Sequence, residues 1–212
     1  MARRDRQVQH FGAVTKLVQA SRDHRCRSIA VTALYGDASP LAARMARDLC
    51  QNFSFLSTWF HFEPGRHRWR QFHPKGIEVY QTAPKAVPVR PAMNFPLMAL
   101  DGEPVPDIDG SPEIELAADA PFSLLRATVE ELEMESSMLV LSAPPLLRDS
   151  NVAMALSLVP RVILCVPAQC DRDDLITARK ALDAMNVELM GMVMTGYRNP
   201  LPRWLDYLLG YR

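Results

Sequence analysis

The sequence predicts an α/β fold: a single domain with a mostly parallel sheet that is flanked by helices on both faces. Short apolar, β-branched runs alternate along the chain with segments of about a dozen residues that have helical periodicity. The later runs are apolar throughout, as expected for strands buried on both faces of a parallel sheet. A chain of 212 residues is also long enough to bury one substantial core.

An amphipathic segment opens the chain. Residues 1–24 are predicted as an N-terminal helix that packs on the domain or on a partner. Residues 25–199 are predicted as the α/β domain, and residues 200–212 as a C-terminal amphipathic tail. The apolar side of the N-terminal helix carries Val8, Phe11, Val14, Leu17 and Val18.

The first unit of the domain has the order strand, tight loop, helix. Residues 28–34 form an apolar β-branched run, residues 36–40 a turn cluster, and residues 41–50 carry apolar side chains at helical spacing. This order is typical of sites where phosphate binds at a helix N-terminus. An aromatic-rich run at residues 53–62 predicts the second strand.

Regular patterns break down between residues 63 and 121. This segment holds many of the chain's 17 prolines and is predicted as an extended, largely irregular insertion with one strand at residues 76–81. Its basic aromatic part, GRHRWRQFHPK, is either a solvated loop or a contact surface for phosphate or an acidic partner. No metal site is predicted there, because neither cysteines nor carboxylates are spaced with its histidines.

After residue 121 the alternation of helices and strands returns. The predicted elements are a helix at 122–134, a strand at 137–142, a helix at 151–159, a strand at 161–166, a helix at 172–185 and a strand at 187–195.

Composition narrows the function classes. Lysine plus arginine equals aspartate plus glutamate, 24 each, so no global charge favours nucleic acid or membrane as a partner. No apolar run reaches the roughly 18 residues of a membrane span, and the N-terminus does not have the pattern of a secretory signal. The four cysteines have no CxxC spacing and are expected to be reduced. We therefore expect a cytoplasmic protein.

Three segments together resemble a known family over most of the chain. They are IAVTALYGDASPLAARMA, FSLLRATVEELEMESSMLVLSAPPLLRDS and RVILCVPAQCDRDDLITARKALDAMNVELMGMVMTGY. Their order resembles the cytoplasmic ATPase domain of bacterial tyrosine kinases (BY-kinases) of the capsule and exopolysaccharide type. These kinases belong to the deviant phosphate-loop ATPases, which include cell-division and partitioning ATPases. The resemblance implies a P-loop NTPase fold.

The nucleotide loop departs from the family pattern. A working loop reads G-x-x-x-x-G-K-[ST], because the backbone N–H groups and the lysine hold phosphate and the hydroxyl holds magnesium. Here Gly36, Asp37, Ala38 and Ser39 stand in that region, with Ala38 aligned to the lysine. The Asp37 carboxylate would repel a phosphate about 4 Å away by several kcal/mol at an effective dielectric of about 20. Residues 57–60 align with the family's aspartate pair and contain no carboxylate.

Two further family motifs are also changed. Ser142 and Ala143 align with an aspartate and a threonine, although the following Pro144 and Pro145 are retained. Thr195 aligns with the asparagine that contacts the adenine base in the family. The resemblance therefore predicts a degenerate nucleotide site, with no catalytic residue intact, no cofactor and no metal.

The two ends of the chain bear on assembly. Active members carry an arginine-containing motif in the N-terminal helix that builds a ring of subunits, and this chain lacks it. Active members also end in a tyrosine cluster that is phosphorylated in trans, for which Tyr207 and Tyr211 are the candidates here. The favoured interpretation of the tail is a short amphipathic helix that lies against the body, a partner or a membrane, with an apolar patch of Trp204, Leu205, Leu208 and Leu209.

The expected function is that of a catalytically inactive BY-kinase-like protein. It would scaffold or regulate biosynthesis and export of an exopolysaccharide, capsule or adhesin, with an inner-membrane polysaccharide co-polymerase as partner, at the inner face of the plasma membrane. The alternative is an active tyrosine autokinase or ATPase that uses ATP and magnesium, with Arg44 or Arg148 replacing the lysine. A third interpretation, a partitioning ATPase relative, needs a basic patch or a stronger terminal helix, and the sequence shows neither. Nucleic acid is not expected as a partner.

Overall fold

The computed structural model describes residues 26–74, 89–91, 114–116 and 120–196, together with Gln19. In these ranges eight strands form one sheet. They are β1 (Ser28–Ala33), β2 (Ser57–His61), β3 (Arg68–Phe72), β4 (Val89–Pro91), β5 (Ile114–Leu116), β6 (Met138–Ser142), β7 (Arg161–Pro167) and β8 (Glu188–Thr195). The described helices are α1 (Ser39–Phe53), α2 (Phe122–Glu135), α3 (Val152–Leu158) and α4 (Arg172–Ala184).

The sheet has the strand order β4-β5-β3-β2-β6-β1-β7-β8. The five strands from β2 to β8 in this order are parallel, and β3, β5 and β4 extend the sheet through antiparallel pairs. The prediction of a mostly parallel α/β fold is therefore confirmed.

Helices cover both faces of the sheet. On one face α1 packs with residues of β1, β2, β6 and β7 in a core that includes Leu41, Met45, Leu49, Trp59 and Val140. The other core includes residues of α2, α3 and α4, among them Leu125, Leu132, Ala155, Ala178 and Leu182. Because the central strands are covered on both sides, most of their positions are apolar, and the polar residues they contain, such as Thr32 and Ser142, are buried.

Helix α1 is longer than predicted at both ends. It begins at Ser39, since Pro40 is tolerated in the first turn, where its missing N–H has no intrahelical partner. It continues to Phe53 and ends where Ser54 takes a left-handed conformation with φ 57° and donates its N–H to the Cys50 carbonyl. Strand β2 consequently begins at Ser57 rather than at residue 53.

The prediction of an irregular insertion at residues 63–121 was wrong in part. Strand β3 lies in the basic aromatic stretch and pairs with the whole of β2, from Ser57 opposite Phe72 to His61 opposite Arg68. Trp69 and Arg70 are 1% and 5% exposed, so this stretch is not a solvated loop. Strands β4 and β5 also lie within the predicted insertion.

Several predictions fall outside the described residues. They are the strand at residues 76–81, the tail at residues 200–212 with Tyr207 and Tyr211, and nearly all of the N-terminal helix at residues 1–24. In the described ranges, no helix combines the length and the apolar character needed to cross a bilayer.

Candidate functional site

The candidate site lies at one edge of the sheet. Strands β1, β2 and β6 are parallel neighbours, so their carboxyl ends meet at the same edge. From β1 the chain continues to β2 on one side, and from β6 it continues to β7 on the other. Ligands of open α/β sheets bind in the crevice at such a switch point.

In the loop between β1 and α1, the carboxylate of Asp37 accepts two hydrogen bonds from Ser39 of the same loop. The backbone N–H of Ser39 donates to Oδ1 of Asp37 at 2.8 Å, and the Ser39 hydroxyl donates to Oδ2 of Asp37 at 2.7 Å. The first N–H of helix α1 and the loop's hydroxyl, two groups with which a phosphate loop would hold its ligand, are thus both bound to Asp37. A fixed negative charge lies where the helix would otherwise attract an anion.

The neighbouring loop residues differ from those of a working phosphate loop. Ala38, which aligns with the family lysine, is 3% exposed and belongs to the core on the α1 face. The Cβ of a lysine introduced at this position would lie in the core rather than at the surface. Gly36 has open space around the position of a Cβ and does not have a positive φ, so nothing in the fold requires glycine there.

Tyr35 joins the loop to two other elements. A hydrogen bond to the carboxylate of Asp174, in the first turn of α4, raises the pKa of Tyr35 to about 12. The guanidinium of Arg148 lies over the Tyr35 ring at 5.0 Å from its centroid. Arg148 was a sequence candidate to replace the lysine, and the structure gives it this ring as a partner. The other candidate is Arg44, whose Nε lies 3.9 Å from Oδ2 of Asp48, one turn further along α1.

At the end of β2 the structure differs from the sequence prediction. Residues 57–60, which were aligned with the family's aspartate pair, are fully buried inside the strand. The residues that reach the carboxyl edge are His61 and Glu63 instead. Nδ1 of His61 lies 2.8 Å from Oγ of Ser142, and Nε2 lies 3.6 Å from Oε2 of Glu63.

The electrostatic environment keeps His61 neutral. Burial lowers its pKa, and the nearby charge of Arg68 lowers it further, while Asp37 and Glu63 act in the opposite direction. The neutral tautomer with its proton on Nε2 fits these contacts, because Nδ1 can then accept the Ser142 hydroxyl proton and Nε2 faces the Glu63 carboxylate. The imidazole also stacks on Trp59 with 5.8 Å between ring centroids.

A carboxylate, an imidazole and a serine hydroxyl in this order suggest the relay of a serine hydrolase. The burial of Ser142 excludes that chemistry, because the residue is 1% exposed and its Oγ cannot be reached by a substrate carbonyl. The hydroxyl also lies 3.4 Å from the Phe60 carbonyl, within hydrogen-bonding distance. His61 and Ser142 therefore connect the ends of β2 and β6.

The third predicted motif, Ser142 to Pro145, is tied to β1. The Ala143 N–H donates to the Val31 carbonyl at 2.9 Å, and the buried Thr32 hydroxyl donates to the Pro144 carbonyl at 2.6 Å. After Pro145 the N–H of Leu146 donates to the Ala33 carbonyl. These bonds hold the segment along β1.

Thr195 is the last residue of β8 and lies at the same edge of the sheet. Its hydroxyl donates to the Val166 carbonyl at 3.4 Å, and its carbonyl accepts the N–H of Ala168 at 2.9 Å. Both groups face β7 and the turn after it. Within the described ranges no cluster of three or more metal-binding side chains occurs.

Sequence reasoning missed His61 and Glu63 as site residues. A usable signal was present, because the apolar run of the second strand ends where a histidine and a glutamate alternate with Phe62. Placing the end of the strand at the first polar pair would have brought both to the carboxyl edge.

Comparison with known proteins adds the family context. No family model matches the sequence, and no curated protein matches it. Among solved structures, the BceF tyrosine kinase domain matches with a TM-score of 0.53 at 16% identity, over 85% of this chain and 73% of that chain. The chain has the fold of bacterial tyrosine kinase domains.

Two other structures give the same result. The VpsO kinase domain matches with a TM-score of 0.53 at 14% identity, over 92% of this chain and 98% of that chain. The chimerical protein CapA2B2 matches with a TM-score of 0.51 at 13% identity, over 88% and 83%. The resemblance seen in the sequence is thereby confirmed for the kinase-like fold.

Proposed function

We propose that this protein is a tyrosine-kinase-like domain that does not turn over nucleotide and that scaffolds or regulates polysaccharide biosynthesis and export. Its proposed partner is an inner-membrane polysaccharide co-polymerase, which would hold the domain at the inner face of the plasma membrane. The observation that carries the proposal is the Asp37 carboxylate bound to the Ser39 N–H and hydroxyl.

The physical argument rests on charge. Phosphoryl transfer is catalysed by positioning and by positive charge on the transferred group, supplied by lysine and magnesium. At the corresponding positions this chain has the apolar Ala38 in the core and the neutral Ser142 bound to His61. Asp37 adds negative charge, so the loop works against a bound triphosphate.

The partner is proposed from the kinase-like fold together with the resemblance of the three sequence segments to polysaccharide kinases. A domain that keeps its fold but not its charges can still present contact surfaces to a membrane protein. The bonds from β6 to β1 support this view, since they preserve the site's framework without any of its ligand chemistry.

Titration with magnesium and a fluorescent ATP analogue tests the absence of turnover. We expect neither saturable magnesium-dependent binding nor phosphate release from the wild-type chain. The exposed Asp183 and Ser157 offer matched control substitutions, Asp183→Asn and Ser157→Ala, for the loop variants Asp37→Asn and Ser39→Ala. Tight binding with turnover that Ser39→Ala abolishes and Ser157→Ala preserves would overturn the proposal.

A cellular experiment tests the scaffold role. In a deletion strain, we expect polysaccharide export to fall and to be restored equally by wild type and by Ser39→Ala. Co-purification with a membrane co-polymerase should accompany the rescue. Normal export in the deletion strain would contradict the role in export, whatever the titration shows.

One observation favours the enzyme alternative. Glu63 places a half-exposed carboxylate two residues after β2, with Oε2 3.6 Å from Nε2 of His61, where a magnesium-binding group would be useful. If the protein is an active ATPase or autokinase, Glu63→Gln should abolish magnesium-dependent turnover. The exposed Glu130 of α2 provides the matched control, Glu130→Gln.

A further inference from the structure

The two edges of the sheet differ in their protection. Strand β4, at one edge, has three residues, Val89–Pro91, and one of them is proline. Strand β8, at the other edge, has eight residues and no proline. Natural sheets protect their edges with short strands, proline, charge or bulges. Strand β8 has one register shift, at Met190, but its residues 191–195 continue beyond that shift without proline or charge, so this part of the edge is expected to pair with another strand.

Half of the backbone groups of β8 face away from the sheet. The N–H of Glu188 donates to the Pro160 carbonyl, and the Thr195 carbonyl accepts from Ala168, so both ends of β8 are bound on the β7 side. The register with β7 shifts at Met190, so the alternation is counted back from Thr195. Because successive residues of a strand direct their backbone groups to opposite sides, Met192 and Met194 direct theirs outward. Among the described strands, β7 alone pairs with β8.

The side chains of the edge are apolar and exposed. Met192 is 62% exposed and Met194 is 49% exposed. The single charged residue of the strand, Glu188, lies at its beginning and is paired with Arg161 at 3.1 Å. Methionine is flexible and polarizable, which suits a surface that packs against another strand.

We propose that the β8 edge is a homodimer interface, in which β8 of one copy pairs antiparallel with β8 of a second copy. The interface goes beyond the proposed scaffold function and does not depend on it. An antiparallel pair about a two-fold axis uses the same surface on both copies, so an unprotected edge is its own complement. The two sheets would then form one continuous sheet.

The one charged residue of β8, Glu188, does not oppose its counterpart in such a dimer. With the axis at Met192, the two Glu188 side chains lie at opposite ends of the paired strands, roughly 27 Å apart at about 3.4 Å per residue. Like charges therefore do not oppose each other, while Met192 and Met194 of both copies are buried near the axis.

The chain's own tail is a poorer partner for this edge. Gly196 follows β8 with φ 70°, a left-handed conformation that ends the strand. The sequence beyond it carries Pro200 and Pro202, which lack the N–H that a pairing strand needs. A second copy supplies residues 191–195, a stretch of β8 that follows the register shift at Met190 and contains no proline.

Sedimentation velocity on the full chain, from low to several hundred micromolar, tests the interface. We expect a reversible monomer–dimer equilibrium whose Kd rises by at least about tenfold in Met192→Lys and in Met194→Lys. Met192→Lys places two lysines opposite each other at the axis, and Met194→Lys introduces a charge where an apolar side chain is buried in the dimer. The matched control is Met134→Lys on α2, where the methionine is 74% exposed and remote in sequence from β8. Melting curves establish that all three variants fold.

A monomer at every concentration would overturn the proposal. So would a dimer that both β8 variants leave unchanged, or one that Met134→Lys weakens as much. Methionine oxidation followed by peptide mass spectrometry provides the second measurement. Met192 and Met194 should be protected relative to Met134 at high protein concentration and should lose that protection on dilution. Protection that persists on dilution would mean that the chain covers its own edge, and would also overturn the proposal.

Discussion

The loops that follow β1 and β6 lie at the candidate site and share one local hydrogen-bond pattern. In each, an aspartate accepts the backbone N–H of the residue two positions later, Asp37 from Ser39 and Asp149 from Asn151. The segment after β6 is in addition bound to β1 through buried hydrogen bonds, while Asp37 is exposed and bound within its own loop. The fold depends on the second loop, and ligand chemistry would have depended on the first.

Under the proposed function, this difference explains how the chain keeps the kinase-like fold without nucleotide turnover. The contacts of the β6 segment contribute to folding whether or not a ligand binds. The loop after β1 contributes mainly to ligand binding in a working enzyme, so it can acquire a carboxylate at little cost to the fold. The following predictions test this division of roles, from the largest expected effect to the smallest.

Removing the buried bond between Thr32 and Pro144 should have the largest effect. Thr32→Val deletes the hydroxyl that donates to the Pro144 carbonyl at 2.6 Å and leaves that buried carbonyl without this donor. We expect a loss of about 1–3 kcal/mol in the free energy of unfolding, measured by urea denaturation. Thr177→Val on α4 is the control, because its exposed hydroxyl makes a bond of similar length to the Asp173 carbonyl. Equal losses in both variants would contradict the structural role of the β6 segment.

The lowered pKa of His61 should make the stability of the fold depend on pH. Burial lowers the pKa of His61 below its ordinary value of 6.5, so the unfolded chain binds a proton more readily than the folded one. Stability is then full above about pH 6.5 and falls as the pH drops below it, with a slope of at most about 1.4 kcal/mol per pH unit for each such histidine. Urea denaturation between pH 7.5 and 5 measures the slope.

Two variants separate the contributions to this slope. Burial also lowers the pKa of His67, so His61→Gln and His67→Gln should each reduce the slope. The two residues differ in their contacts, since His61 bonds to Ser142 while Nδ1 of His67 is buried and has no hydrogen-bond partner among the described residues. A slope that neither substitution changes would show that the burial of these rings does not govern acid stability.

The Asp37 carboxylate should contribute less than either of these. Asp37→Ala removes the acceptor of the Ser39 N–H and a favourable charge at the start of α1, which should lower the free energy of unfolding by about 1 kcal/mol at low salt. Asp37→Asn retains an oxygen acceptor and should lose about half as much. A gain in stability on removing the carboxylate would contradict its role as the internal partner of this loop.

The parts of the fold that were predictable share one property. Strands β1, β6 and β7 are buried on both faces, so local sequence alone shows them as apolar runs. Strand β3 was missed because its sequence, RWRQF, is basic. It pairs along its whole length with β2, and the Arg68 guanidinium lies over the Trp59 ring at 5.9 Å from its centroid. That information lies in long-range contacts rather than in any local pattern.

The site was predictable in its chemistry more than in its geometry. The absence of the lysine and the presence of Asp37 could be read directly from the sequence. The bonds of Asp37 to Ser39 and the arrival of His61 and Glu63 at the carboxyl edge depend on where α1 begins and where β2 ends. An error of one or two residues at a strand end moves a different side chain into the site.

Gly36 gives the smallest expected effect and the sharpest contrast with a working phosphate loop. In such a loop glycine lets the backbone approach the phosphates, so a methyl group would impair binding. Here a Cβ at Gly36 meets no atom of the described residues within 4 Å and φ is not positive, so Gly36→Ala should be neutral or should stabilise the fold by about 0.5 kcal/mol. Gly196→Ala, at φ 70°, is the control and should cost about 1 kcal/mol by urea denaturation, although its surroundings are equally open. A loss at Gly36 as large as at Gly196 would mean that the loop still requires glycine, and the difference between the two loops would then be smaller than their hydrogen bonds indicate.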